Sequence, residues 1–140
     1  MDSRKNIAIE MHNKGYNCAQ SVALTYADLV DVEPALLFRI TEGYGLGGGN
    51  MQGTCGAISG ALALVGLLNS SGDLDNPTTK AQTYGLNREI LESFQNRNGS
   101  ILCHELKGIK TGKVLRSCPD CIQDACEFFE NLYEAKLKNK

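Results

Sequence analysis

Three features of the sequence predict an all-α fold: a compact single-domain bundle of about five to six helices, with a glycine-rich loop before the central helix. Apolar residues recur at spacings of three and four, without sustained period-two alternation. Capping residues and glycines fall where those runs begin and end. The chain has 140 residues and is 42% hydrophobic, enough for one core and too little for two ordinary domains, so residues 1–140 are read as one domain.

The first helix carries Ile7, Ala8 and Met11 and can end at Gly15. Asn17, followed three residues later by Gln20, has the form of a capping box, and the helix it opens is expected over about Cys18 to Val30. Pro34 suits the first turn of a short helix over Ala35 to Thr41. Gly43 then begins a glycine-rich connection that reaches Thr54, and Thr54 is expected to cap the central helix, which runs to about Leu68 on Ala57, Ile58, Ala61, Leu62 and Val65. Asn69 to Asp73 reads as a turn. Asn76-Pro77 is expected to start the next helix, with Ala81, Tyr84, Leu91 and Phe94 on one side and Gly99 at its end. Ser100 is expected to cap a short helix over Ile101 to Lys107, stopped by Gly108. After a loop through Gly112, Cys118-Pro119 opens the last helix, whose buried stripe is Ile122, Ala125, Phe129, Leu132 and Tyr133.

The charge balance, 14 basic against 16 acidic residues, lacks the basic excess that tracking a phosphate backbone needs, and so points away from nucleic acid. The N-terminal residues are charged and then amphipathic, without the apolar core of a secretory signal. The longest apolar stretch, Ala61 to Leu68, is far short of the ~20 residues that span a bilayer. The expectation is a cytoplasmic chain with no membrane span. In that compartment six cysteines point to metal binding or redox chemistry more than to a disulfide framework.

Four of the six fall at expected helix starts: Cys18, Cys55, Cys103 and Cys118. The first turn of a helix presents unpaired N–H groups and the positive end of the peptide dipole, which favour a thiolate. Their separations belong to a site assembled by folding, since a local zinc knuckle would bring two CxxC pairs. Cys118-Pro119-Asp120-Cys121 is itself a CxxC at a helix start, although the strand–helix alternation of thioredoxin-like proteins is missing. Cys121 stands at the edge of the last helix's stripe, and Cys126 at its centre reads as core. No C-x-x-C-H is present, which excludes c-type haem. His12 is expected on a solvated helix face, and His104 as a local hydrogen-bonding group beside Cys103.

The segment Gly43 to Asn50 contains G-x-G-x-x-G, and Gly48 to Thr54 has P-loop spacing without its lysine, but neither lies in a βαβ context. The glycines are better read as letting the backbone approach a bound group and offer N–H donors just before Cys55. Gly56 and Gly60 give the central helix a small-residue face, suited to close packing against a helix or a cofactor.

Cys55-Gly56-Ala57-Ile58-Ser59-Gly60, with Asn17-Cys18 upstream and Cys103 and Cys118 downstream, resembles the C_GCAxxG_C_C family of redox-active proteins, which is similar to the iron–sulfur-binding part of split-Soret cytochrome c. The resemblance implies that Cys18, Cys55, Cys103 and Cys118 are cofactor and metal ligands, holding an iron–sulfur cluster of the 2Fe–2S type. It leaves Cys121 and Cys126 as extra thiols. The function expected is electron transfer or redox sensing with a redox partner protein, and a homodimer is compatible with it. The alternatives are a metal-free thiol–disulfide oxidoreductase, using Cys118 and Cys121 or a long-range pair such as Cys18 and Cys55, and a structural zinc site of four cysteines. No catalytic triad, carboxylate pair or nucleotide motif stands out.

Overall fold

The computed structural model describes residues 1–140, and each expected helix has a helical counterpart in it. The α-helical segments are α1 (Lys5–Asn13), α2 (Cys18–Thr25), α3 (Pro34–Glu42), α4 (Gly45–Gly48), α5 (Gly56–Asn69), α6 (Lys80–Asn98), α7 (Cys103–Lys107) and α8 (Cys118–Leu132). A 3-10 turn follows α2, and a π-helical turn over Tyr133–Leu137 continues α8. The count exceeds the expected five to six; the segment the sequence did not place is α4, a tight turn with left-handed Leu46 and Gly47 inside the glycine-rich loop, whereas α7 falls within the short helix expected over Ile101 to Lys107. No strand forms; Thr54 and Leu102 make one isolated antiparallel bridge.

Helix α5 is the centre. It packs against α2, α6 and α8, and α1 closes over α2 and α8. Its Ala57, Ile58, Ala61, Leu64 and Val65 join Val22, Tyr26, Phe94, Ile122 and Phe129 in a single core of 23 buried residues. The small-residue face is used for helix packing: a Cβ on Gly60 would lie 2.5 Å from the carbonyl oxygen of Ala19 in α2. No helix is long and apolar enough to cross a membrane.

The capping box at α2 forms as expected, with Gln20 N–H donating to Asn17 Oδ1 at 2.9 Å and Asn17 N–H to Gln20 Oε1 at 3.0 Å. The helix stops at Thr25, short of the expected Val30. Ser21 and Thr25 both turn their hydroxyls back onto the carbonyls four residues earlier, and Arg4 takes the Thr25 carbonyl at 3.1 Å, which satisfies the helix end there. Two other starts differ from expectation. Thr54 is drawn into the bridge, so the cap position of α5 falls to Cys55. Ser100 Oγ accepts from Leu102 N–H and donates to Glu105, shaping a turn that delays α7 to Cys103.

Helix α6 starts at Lys80 and not at Asn76-Pro77, because the preceding loop is held by its own side chains, including Thr79 Oγ1 accepting from Ser71 N–H. The buried side of α6 is Leu86, Ile90 and Phe94, and Tyr84, on another face, is 56% exposed. Ser117 caps α8, with Pro119 in its first turn.

Candidate functional site

The glycine-rich segment positions two of the cysteine-bearing turns. Gly53 N–H donates to Gly47 O, and Gly53 O accepts from Cys103 N–H at 3.0 Å; Cys55 N–H donates to Ile101 O at 2.8 Å. Gly47 has φ +59°, and a Cβ there would lie 2.6 Å from the Cβ of Cys103, so only glycine lets the two segments meet. Gly56 does the same on the other side, where an added Cβ would sit 2.9 Å from Tyr44 O and 3.4 Å from the Cβ of Cys18. The chain thereby gathers the starts of α2, α5, α7 and α8. Cys18, Cys103 and Cys118 are the first residues of their helices, and Cys55 is the cap of α5.

All four line one cavity of about 310 Å³, and Cys121 lines it with them. Cys121, 2% exposed and one turn into α8, belongs to the cavity wall and not merely to the edge of the core. The signal for it was already in the sequence, as the second thiol of the CxxC. Cys126 is fully buried away from this cavity, its carbonyl accepting from the Tyr26 hydroxyl, and burial pushes its thiol up to about 12. It is a core residue, as its place on the stripe indicates.

The thiols interact as two pairs, each between helices. Cys18 neighbours Cys118 and Cys55 neighbours Cys121, and the Cys121 thiol donates to the Arg116 carbonyl at 3.9 Å. Within the first pair the proton stays on Cys18, and Cys118 is pulled down to about 5 by the neighbouring Cys18 thiol, with Lys107 and His12 assisting. In the second, Cys121 keeps the proton and Cys55 is lowered, first by the neighbouring Cys121 thiol and then by the backbone N–H groups of Ala57 and Ile58. These donors come from the first turn of α5 and not from the glycines before Cys55. Cys103 has no thiol partner, and burial raises it.

The charge around the sulfurs is one-sided. Lys107, Arg116 and His12 face the cavity, and no carboxylate lines it. Burial disfavours the Lys107 ammonium, but the neighbouring sulfurs of Cys118 and Cys103 outweigh that and raise its pKa. Arg116 is held by the buried Asp124, with Nε to Oδ2 at 2.9 Å and Nη2 to Oδ1 at 3.0 Å; Arg97 and Asn98 also bind this carboxylate. Neither Lys107 nor Arg116 carries a sequence signal, since surface cations are common. His12 is half-buried on the cavity wall, with Nδ1 3.0 Å from Tyr16 O, and not on a solvated face. His104 is a local hydrogen-bonding group as expected, its Nδ1 3.1 Å from Met51 O.

No three Cys, His, Asp or Glu side chains are placed as a ready-made site for a metal ion. What the residues offer is a wall of soft sulfur donors around a space much larger than one ion, flanked by cations that offset negative charge.

Fold and cavity together define an all-helical protein built around clustered thiols. Residues 16–132 match the family model described as "Putative redox-active protein (C_GCAxxG_C_C)", and the chain belongs to the C_GCAxxG_C_C family. No curated protein and no solved structure matches the chain.

Proposed function

We propose that this cavity is a redox centre that holds an iron–sulfur cluster, 2Fe–2S by preference, through Cys18, Cys55, Cys103 and Cys118, and that the protein acts in cytoplasmic electron transfer or redox sensing with a partner protein. The observation that carries the reading is the convergence of thiols from four helix starts on one cavity flanked by cations and free of carboxylates. Four thiolates suit such a cluster, which supplies one-electron chemistry when bound.

The chain's own residues have distinct parts in this. Cys55 and Cys118 already favour the thiolate form, whereas Cys18 and Cys103 must release protons on binding, so loading is expected to acidify the medium. Lys107 and Arg116 balance the negative charge, and Ala57 and Ile58 N–H groups at the Cys55 sulfur favour the more reduced, more negative state. Leu46 and Leu106 form apolar parts of the wall and restrict water.

Purification without oxygen, followed by visible spectroscopy and iron and sulfide analysis, tests the reading. Iron and sulfide in equal amounts are expected, with loss of both in the serine variant of each of the four cysteines and retention in Cys126→Ala. A colourless, iron-free protein whose thiols all titrate freely would overturn it, and a colourless protein loaded with zinc would establish the structural alternative.

A further inference from the structure

We propose that the outer face of α5 is a two-fold dimer interface, and that the partner it fits is a second copy of this chain. None of the residues of this face lines the thiol cavity, so the inference does not rest on what that cavity holds.

Helix α5 carries more apolar surface than one chain buries. Ala57, Ile58, Ala61, Leu64 and Val65 face the core. The opposite side is Ser59, Leu62, Ala63, Gly66 and Leu67, continued by Ser70 at the helix end, all at helical spacings of three and four and all partly or fully exposed. It is uncharged as well, and no charged residue occurs anywhere between Glu42 and Asp73. A helix that is apolar all round belongs inside a protein, and depletion of charge at the centre of a patch marks interfaces off from ordinary surface.

The stripe reads alike in both directions. Ser59 and Ser70 are its ends, Leu62 and Leu67 lie inside them, and the small residues Ala63 and Gly66 are at its centre. A two-fold axis between positions 63 and 66 sets serine against serine and leucine against leucine, and crosses the helices at a step of glycine on alanine, where the axes can come close. Alanine at 66 would keep this match. Isologous contacts need such self-complementarity, because wherever residue i meets j, j also meets i.

The flanks follow the same symmetry. Beside the Ser59 end is an open hollow of about 290 Å³ lined by Tyr44, Ser59, Leu62 and Ala63. At the Ser70 end, Leu74 and Tyr84 stand beside Gly66 and Ser70, and Leu74 is 95% exposed. The axis carries Leu74 of one copy to the Ser59 end of the other, where that hollow is. At roughly 200 Å² for a fully exposed large side chain, Tyr44, Leu67, Leu74 and Tyr84 offer about 450 Å² per copy. With the rest of the stripe the pair would bury ~1,200 Å², the lower end of the range for specific, stable interfaces.

Sedimentation equilibrium of the full chain, from micromolar concentration upward, tests the proposal. A dimer of twice the 15.2 kDa chain mass is expected. Leu67→Glu places a charge at the leucine contact twice per dimer and should raise Kd by about 100-fold. Leu74→Ala should raise it by about 10-fold and leave the circular dichroism unchanged, because this side chain touches little of its own chain. Ser59→Glu should weaken the dimer, and adding Ser70→Lys to the same chain should restore it, since the two positions face each other across the axis. A chain that stays monomeric, a dimer indifferent to both Leu67→Glu and Leu74→Ala, a double variant no tighter than Ser59→Glu, or an open-ended assembly would each overturn the assignment. Flotation of a monomeric chain with phosphatidylcholine vesicles, lost in Leu67→Glu, would also overturn it and give the face to a lipid surface. Iron analysis reads the cavity separately, so the interface and the redox centre can each stand or fall alone.

Discussion

Cys118 shows how a single residue acquires chemistry from its surroundings. An isolated thiol half-ionises at about pH 8.5; here the neighbouring Cys18 thiol, Lys107 and His12 move Cys118 down to about 5. Its alkylation by a neutral reagent in metal-free protein should therefore hold its rate as pH falls from 8 to 6 and decline only near 5, as followed by mass spectrometry. A decline centred near 8.5 would refute this. Asp124 makes a second prediction. Its carboxyl is 3% exposed, and burial alone would raise its pKa, but Arg116, Asn98 and Arg97 hold it below the usual carboxylate range. A depressed folded value stabilises the fold above the unfolded pKa of about 3.9 and is lost as pH falls through the folded value. Asp124→Asn should lower stability at pH 7 by about 1–3 kcal/mol, because the arginines it releases are partly exposed and regain water. In urea titrations the gap to wild type should narrow below about pH 4.

Helix starts carry the site at the scale of elements, and their capping residues were largely legible in the sequence. Asn17 with Gln20 and Ser117 before Cys118-Pro119 follow local rules of hydrogen bonding that need no tertiary partner. Thr54 and Ser100 have the same chemistry but are claimed by the bridge and by a turn to Glu105, contacts that depend on a segment about fifty residues away and on local competition. Asn17→Ala should cost about 1 kcal/mol of stability, because it loosens the turn that presents Cys18. The glycines of α5 give a sharper contrast. Gly60→Ala forces a Cβ to within 2.5 Å of a backbone oxygen in α2, and should destabilise by about 1–3 kcal/mol despite the better helix propensity of alanine. Gly66 has open space around it, and Gly66→Ala should stabilise by about 0.5–1 kcal/mol. Denaturant midpoints of the two variants should move in opposite directions.

Over the whole molecule, the N-terminal residues are tied to the helix that carries Cys118 and Cys121. Arg4 N–H donates to Glu130 at 2.9 Å, Lys5 pairs with Glu127 at 2.9 Å, and the buried Tyr26 hydroxyl gives Glu130 a short bond of 2.5 Å. The start of α1 and the end of α2 thus meet α8 at one carboxylate. Tyr26→Phe should cost about 1.5–3 kcal/mol, as expected for losing a hydrogen bond to a charged group, and calorimetry would show it as a lower Tm. An unchanged Tm would mean that Glu130 is held adequately by Arg4 alone.

The sequence by itself determined the helical class, the single core and the placement of four cysteines at helix starts, because periodicity, caps and chain length act over a few residues or over the whole composition. It also marked Cys126 as core from its position on the last stripe. Only the tertiary structure decided which thiols face one another, since the pairs Cys18–Cys118 and Cys55–Cys121 join helices far apart in the chain. The same holds for Cys121, His12, Lys107 and Arg116, ordinary residues in sequence that share a cavity because glycines at 47, 56 and 60 allow three segments to approach closely. Electrostatic coupling depends on distance through space, and that distance is set by packing.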